Sequence, residues 1–151
     1  MLARLAHAFA KAGADTGVWV VILAGHGAAF CAGHDLKELT AGRAAPDGGR
    51  AYLAKIMAQC SGVMQGIVTC PKPMIAEVTG KVSAAGCQLV ASCDLAIAAS
   101  TAQFSTPGVH IGLFCSTPMV ALSRNLSNRC AGLRGISGKR RSRIRLADAN
   151  G

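Results

Sequence analysis

Phe30-Cys31-Ala32-Gly33-His34-Asp35-Leu36 decides the fold, together with a second stretch of the same kind, Ser83-Ala84-Ala85-Gly86-Cys87-Gln88-Leu89. Each stretch follows an apolar run typical of a strand and opens a run typical of a helix. Small residues at such a turn let a ligand approach the backbone, and the first N–H groups of a helix have no acceptor inside it. Either turn alone is more typical of an ordinary strand-to-helix connection. Two turns that face each other could hold one carbonyl oxygen between two backbone donors, as an oxyanion hole does.

Runs of strand length alternate with helical periodicity along most of the chain, and this alternation predicts an α/β fold. The run at residues 18–24 is continuously apolar, which is typical of a strand buried on both faces. Gly13 stands where a glycine would end the first helix, and Thr117 with Pro118 predicts the start of the last one. The remaining predicted elements are helices over 2–12, 35–40, 51–68 and 85–91, and strands over 74–78 and 95–98. In the helix over 51–68, the side chains expected to face inward are Leu53, Ile56, Met57, Val63, Met64 and Ile67.

The positive charge is concentrated at one end of the chain. The net charge is +9, of which residues 1–123 contribute +2 (eight Lys and Arg against six Asp and Glu) and residues 124–151 contribute +7 (eight against one). We therefore divide the chain into a domain over 1–126 and a basic tail over 127–151. On composition, the tail is typical of a solvated, disordered segment or of a contact with nucleic acid or acidic lipid.

Other features restrict the class of protein. No apolar run is long enough to cross a bilayer, and the first twelve residues are too interrupted by charge for a secretory signal. The seven cysteines form no C-x-x-C pair and do not cluster with the four histidines, so we expect free thiols, a reducing compartment and no metal. These features favour a cytoplasmic protein, with the mitochondrial matrix as the alternative.

Four stretches carry a resemblance to a known family: residues 29–39, 80–89, 92–98 and 102–108. They resemble the crotonase (enoyl-CoA hydratase/isomerase) superfamily. Within it, residues 33–39 and 112–118 resemble one poorly understood branch. The resemblance runs from about residue 2 to residue 126, roughly the middle half of a full member. It implies a stack of ββα units that is incomplete at both ends of this chain.

The resemblance also implies the ligand and its site. The ligand is an acyl-CoA thioester whose carbonyl oxygen accepts from the backbone N–H groups of Ala32 and Ala85. Coenzyme A is part of that substrate, so no separate cofactor is expected. A complete member is expected to form homotrimers or hexamers, and we expect no nucleic acid partner. The implied substrate-binding residues are Phe30, Ala32, Gly33, His34, Asp35 and Leu36 in the first stretch, and Ala84, Ala85, Gly86, Gln88, Pro107 and Gly108 later.

The chain differs from the family at the two positions whose side chains carry out hydration. A hydratase of this family has one glutamate at the position of Gln88 and another at that of Gly108. A glutamine amide does not exchange a proton near neutral pH, and glycine has no side chain. The only glutamates are Glu38 and Glu77, which the resemblance assigns to a helix and to a strand. We therefore expect thioester binding without hydratase activity. The alternatives are an active hydratase, a decarboxylase of a malonyl-type acyl-CoA, and a non-enzymatic interaction protein or inactive fragment.

Further residues are weighed on their surroundings. His34 or His110 could supply proton chemistry, although backbone and loop roles are favoured for both. Asp94 is expected to tie a turn, and Cys87 has no base beside it in the sequence to make it a nucleophile. A family member continues after residue 126 with apolar, helix-forming sequence. The Arg-, Gly- and Ser-rich residues 127–151 are therefore typical of a shifted reading frame, the interpretation that we favour, and we expect them to be disordered.

Overall fold

The structure is a computed structural model that describes residues 1–125, which divide into two compact units. The first unit comprises Met1–Trp19 and His34–Lys72, and the second comprises Val20–Gly33 and residues 73–125. The tail predicted at 127–151 lies outside the described residues.

Strands and helices follow one another in a repeated ββα order. The strands are β1 (Val21–Ala24), β2 (Ala29–Cys31), β3 (Met74–Val78), β4 (Lys81–Ser83), β5 (Leu95–Ala98) and β6 (Gln103–Ser105). The helices are α1 (Leu2–Ala14), α2 (Leu36–Gly42), α3 (Arg50–Val68), α4 (Ala85–Ser92) and α5 (Ser116–Asn125), and a short 3-10 helix (Pro107–Ile111) precedes α5. Odd-numbered strands form one parallel sheet in the order β1-β3-β5, and even-numbered strands form another in the order β2-β4-β6. The α/β class and the ββα order are confirmed.

The central strand of the first sheet supplies the core of the second unit. Met74, Ala76 and Val78 of β3 have no exposed surface, whereas Glu77 on the opposite face is exposed. The prediction that β1 is buried on both faces is wrong, because Ile22 is 60% exposed. The strand also begins at Val21 rather than at residue 18. It lies at the edge of the sheet and alternates between half-buried and exposed side chains.

The helices of the first unit correct two predictions. α1 continues through Gly13 to Ala14, so this glycine does not end the helix. A Cβ at Gly13 would lie 3.2 Å from Cδ of Pro71, and its absence lets the two segments approach. In α3 the buried side chains are Cys60, Val63, Met64 and Ile67, but Met57 is 45% exposed. Three residues turn a helix by about 300°, so Met57 lies about 60° from Cys60, at the margin of the apolar stripe.

Two details fix the ends of elements in the second unit. Asp94 has a structural role, but it joins two neighbouring strands rather than tying a turn as predicted: its Oδ2 accepts from the N–H of Met74 at 2.7 Å and its own N–H donates to the Met74 carbonyl at 2.9 Å. The start predicted at Thr117 is wrong, because α5 begins at Ser116. Pro118 lies in the first turn, where N–H groups have no intrahelical acceptor and proline is tolerated.

Candidate functional site

The two glycine-containing turns follow neighbouring parallel strands of the second sheet. β2 pairs with β4 in parallel, with Ala29 opposite Lys81 and Cys31 opposite Val82. The carboxyl ends of parallel strands lie at one edge of a sheet, which is where ligands bind in many α/β proteins. Ala32 directly follows β2, and Ala84 directly follows β4. The topology therefore brings the two predicted turns to the same edge.

The turns are in direct contact, and a glycine on each side makes this possible. A Cβ at Gly33 would lie 3.2 Å from Cβ of Ala84 and 3.6 Å from the backbone nitrogen of Ala85. A Cβ at Gly86 would lie 2.9 Å from Cβ of Cys31 and closer still to the Cys31 carbonyl oxygen. Gly33 also has φ +97, a left-handed conformation that favours glycine. A side chain at either glycine would force the turns apart.

The two predicted donors have different local settings. Ala85 is the first residue of α4, so its N–H has no acceptor inside the helix. Ala32 does not open a helix, which corrects the expectation that both donors lie at helix N-termini. It lies four residues before α2, whose first turn is capped by Oδ1 of Asp35. None of the hydrogen bonds that residues 1–125 form outside their helices and strands uses the N–H of Ala32 or Ala85 as donor. Their donor role stays a prediction.

Ala84 holds an unusual backbone conformation immediately before Ala85. Its φ of +50 and ψ of −119 make it the only non-glycine residue with positive φ among residues 1–125. Such conformations cost about 1–3 kcal/mol and persist where the surroundings enforce them. Here the Ala84 N–H donates to the Ser105 carbonyl at 3.0 Å, and the Ala84 carbonyl accepts from the N–H of Cys87 at 3.0 Å. Sequence reasoning missed Ser105, because its contribution is a backbone carbonyl that any residue type offers.

Cys87 is buried beneath this turn. Its thiol donates toward the carbonyl oxygen of Ser105 at 3.3 Å, and the Val82 carbonyl oxygen lies at 3.7 Å. Burial raises the pKa of the Cys87 thiol to about 11, so it is protonated near neutral pH. A protonated, buried thiol is a poor nucleophile. The structure thus gives Cys87 a structural environment, in line with the expectation from the sequence.

Gln88 and Gly108 are the positions where the resemblance expects hydratase carboxylates. Gln88 lies on α4, three residues after Ala85, and is half-buried. Gly108 lies in the 3-10 helix, where a Cβ would be 2.6 Å from Sγ of Cys115 and 2.9 Å from the carbonyl oxygen of Leu113. A side chain at Gly108 therefore requires the following backbone to move.

The other predicted residues have the following positions. In the second unit, Phe30 is half-buried in β2, whereas Pro107 and His110 are exposed. In the first unit, Asp35 is the N-cap of α2, Leu36 is 74% exposed and His34 is half-buried.

Both glutamates lie where the resemblance assigned them. Glu38 is on α2 and accepts a hydrogen bond from the hydroxyl of Tyr52 at 2.7 Å, within the first unit. Glu77 is exposed on β3, in the first sheet of the second unit.

The first unit contains a cleft between α1 and α3 that includes none of the predicted site residues. Its volume is about 390 Å³, and small or apolar residues form most of its wall. No group of three or more His, Cys, Asp or Glu side chains within residues 1–125 is placed to hold a metal ion. Over the same residues, every helix is too short or too polar to cross a membrane.

Comparison with known proteins identifies the class. The sequence pattern of the family described as enoyl-CoA hydratase/isomerase matches residues 1–136. The chain belongs to this family. The branch that residues 33–39 and 112–118 resemble is enoyl-CoA hydratase domain-containing protein 3, mitochondrial, and that resemblance is confirmed. The protein of this name from Homo sapiens is 51% identical over 112 residues, which are 74% of this chain and 35% of that protein. Its counterpart from Xenopus laevis is 47% identical over 117 residues, 78% of this chain and 38% of that protein.

Solved structures agree with this assignment. An enoyl-CoA hydratase/isomerase family protein from Silicibacter pomeroyi superposes with a TM-score of 0.80 at 44% identity, over 91% of this chain and 56% of that one. Human enoyl coenzyme A hydratase domain-containing protein 3 superposes with a TM-score of 0.75 at 43% identity, over 86% of this chain and 49% of that one. The chain thus spans little more than a third of the curated relatives and about half of the solved chains.

Proposed function

We propose that this protein binds an acyl-CoA thioester through the backbone N–H groups of Ala32 and Ala85 and does not hydrate it. The observation that carries the proposal is the contact between the two turns, in which the Cβ position of Gly33 lies 3.6 Å from the nitrogen of Ala85. Two backbone donors on one thioester oxygen stabilise the negative charge of an enolate and contribute roughly 3–4 kcal/mol each in other oxyanion holes. Coenzyme A enters as part of the substrate, so this chemistry requires no separate cofactor.

The absence of hydration follows from the two departures from the family. The amide of Gln88 can donate and accept hydrogen bonds, but it cannot act as a general acid or base near neutral pH. Gly108 has neither a side chain nor the space for one. The enolate-stabilising half of the site is therefore retained without the carboxylates that activate water.

This combination also favours a second candidate function, decarboxylation of a malonyl-type acyl-CoA. Breaking the carbon–carboxylate bond releases CO₂ and leaves its electron pair on the enolate, which then takes a proton from water. Such a reaction uses two oxyanion donors and no protein base. The curated relatives at about half identity are named as mitochondrial. We accordingly propose the mitochondrial matrix as the alternative to a cytoplasmic location.

Binding of butyryl-CoA, measured against binding of free coenzyme A, tests the proposal. Ala32→Pro and Ala85→Pro each delete one donor. The extended Cys31 before Ala32 accepts a following proline, whereas Ala84 before Ala85 has a ψ of −119, outside the range that a following proline imposes, so Ala32→Pro is the cleaner deletion. Loss of one hydrogen bond is expected to weaken butyryl-CoA binding about 3- to 10-fold. Free coenzyme A should bind both proline variants as it binds the parent protein.

Ala32→Gly and Ala85→Gly are the matched controls, because they change the same side chains and keep both N–H groups. They should retain the preference for butyryl-CoA. Equal binding of butyryl-CoA by the proline and glycine variants would refute the donor assignment. Robust hydration of crotonyl-CoA by the unmodified protein would refute the absence of hydratase chemistry.

A further inference from the structure

The carbonyl of Ser105 holds both sides of the turn that contains Ala85. It accepts from the N–H of Ala84 at 3.0 Å on one side and from the thiol of Cys87 at 3.3 Å on the other. Ala85 lies between these two anchored residues. Because Ser105 is the last residue of β6, the thiol joins the first turn of α4 to the second sheet.

The environment of Cys87 keeps that hydrogen bond in place. Only 1% of the residue is exposed, so water does not compete for the thiol proton. The Val82 carbonyl at 3.7 Å gives the thiol a second, weaker acceptor on β4. Gly86 lies between Ala85 and Cys87. Because it has no side chain, the same helical turn packs closely against Cys31. The turn is thus held by the hydrogen bond from the Cys87 thiol to the Ser105 carbonyl and by the close packing of Gly86 against Cys31.

We infer that Cys87 is a positioning residue, whose thiol directs the Ala85 N–H toward the thioester oxygen by tying the first turn of α4 to the Ser105 carbonyl. This inference rests on the proposed function. Without the thiol, Ala84 keeps its own bond to Ser105 and Gly86 keeps its packing against Cys31, but the helical side of the turn loses its hydrogen bond to the Ser105 carbonyl. The donor at Ala85 is then less well aimed.

The C=O stretching frequency of bound butyryl-CoA, measured by isotope-edited infrared spectroscopy, reports the hydrogen bonds on that oxygen. The unmodified protein should lower this frequency relative to the free thioester. Cys87→Ala should lose about half of the shift, because one donor of two is misdirected. Cys87→Ser keeps a donor and should recover most of the shift. Cys87→Val also removes the donor but enlarges the side chain by about one methyl group, and it replaces the alanine variant if that variant does not fold.

Cys93→Ala is the matched control. Cys93 is also buried on the segment that ends α4, but its thiol donates to the Leu89 carbonyl of the same helix, at 3.4 Å, rather than to a strand. The Cys93→Ala variant should leave the shift of the C=O stretching frequency unchanged. A full shift in Cys87→Ala or Cys87→Val would overturn the role of Cys87 and leave the proposed function standing. No shift in the unmodified protein would overturn the proposed function, and the role of Cys87 with it.

Discussion

Replacing Gly86 with alanine tests whether close contact between the two turns is what forms the site. The new methyl carbon would lie 2.9 Å from Cβ of Cys31 and nearer still to the Cys31 carbonyl oxygen, whereas ordinary contact begins at 3.4 Å. The backbone must therefore separate by 0.5 Å or more, counted from the Cβ distance alone. Gly86 is buried in a packed region, and overpacking of this kind costs about 1–3 kcal/mol. We expect the free energy of unfolding in urea to fall by about 2 kcal/mol.

Gly62→Ala is the control for the chemical change itself. Gly62 is also a helical glycine, in α3, but a Cβ there meets no atom within 4 Å. Alanine is favoured over glycine inside a helix, so this variant should be stabilised by about 0.5–1 kcal/mol. The two substitutions are thus expected to have opposite signs. If Gly86→Ala is as stable as the unmodified protein and binds butyryl-CoA equally well, the turns are not held in contact as the structure describes.

Three further predictions concern other parts of the second unit. Asp94→Ala should lower the free energy of unfolding by about 1–3 kcal/mol, since the buried N–H of Met74 loses its acceptor. Asp94→Asn should restore most of the loss, and equal stability of both variants would contradict the role of this bond. Burial raises the pKa of the Cys87 thiol from 9.0 to about 11. The stability that this protonated, buried thiol contributes is therefore complete below pH 9 and is lost as the pH rises toward 11. The free energy of unfolding of Cys87→Val should decline less over that pH range. A decline equal to that of the unmodified protein would contradict the raised pKa of Cys87. Gln88→Glu introduces a carboxylate one helical turn after Ala85 and should raise crotonyl-CoA hydration at least about 100-fold above background. No increase would show that this position does not face the thioester.

The long elements were predictable from the sequence, and the short ones were not. α3 and β3 have enough residues to show their periodicity, and their bounds agree with the sequence pattern to within one residue. Three-residue strands such as β2, β4 and β6 are too short to display alternation, because they are specified by the ladder that they join. Tertiary packing likewise overrode a local signal at Gly13, where contact with Pro71 rather than a helix end explains the glycine.

The candidate site was predictable only in part. Gly33 and Gly86 identified the two turns, because small residues are needed where two backbones approach. The left-handed conformation of Ala84 could not be predicted, since alanine disfavours positive φ and only the surrounding hydrogen bonds enforce it. The setting of Ala32 was missed for another reason. The expectation assumed that the helix begins directly at the turn, whereas α2 begins at Leu36, four residues after Ala32, with Asp35 as its N-cap.

Amide chemical shifts of Ala32 and Ala85 test the central claim most directly, because they report the proposed donors themselves. In ¹H–¹⁵N spectra of the unmodified protein, both amide proton resonances should move downfield together as butyryl-CoA is added and should saturate with the same dissociation constant. Free coenzyme A, which lacks the thioester carbonyl, should leave both resonances nearly unmoved. If butyryl-CoA binds and neither resonance moves, or if coenzyme A alone moves both equally, the thioester oxygen does not lie between these two N–H groups.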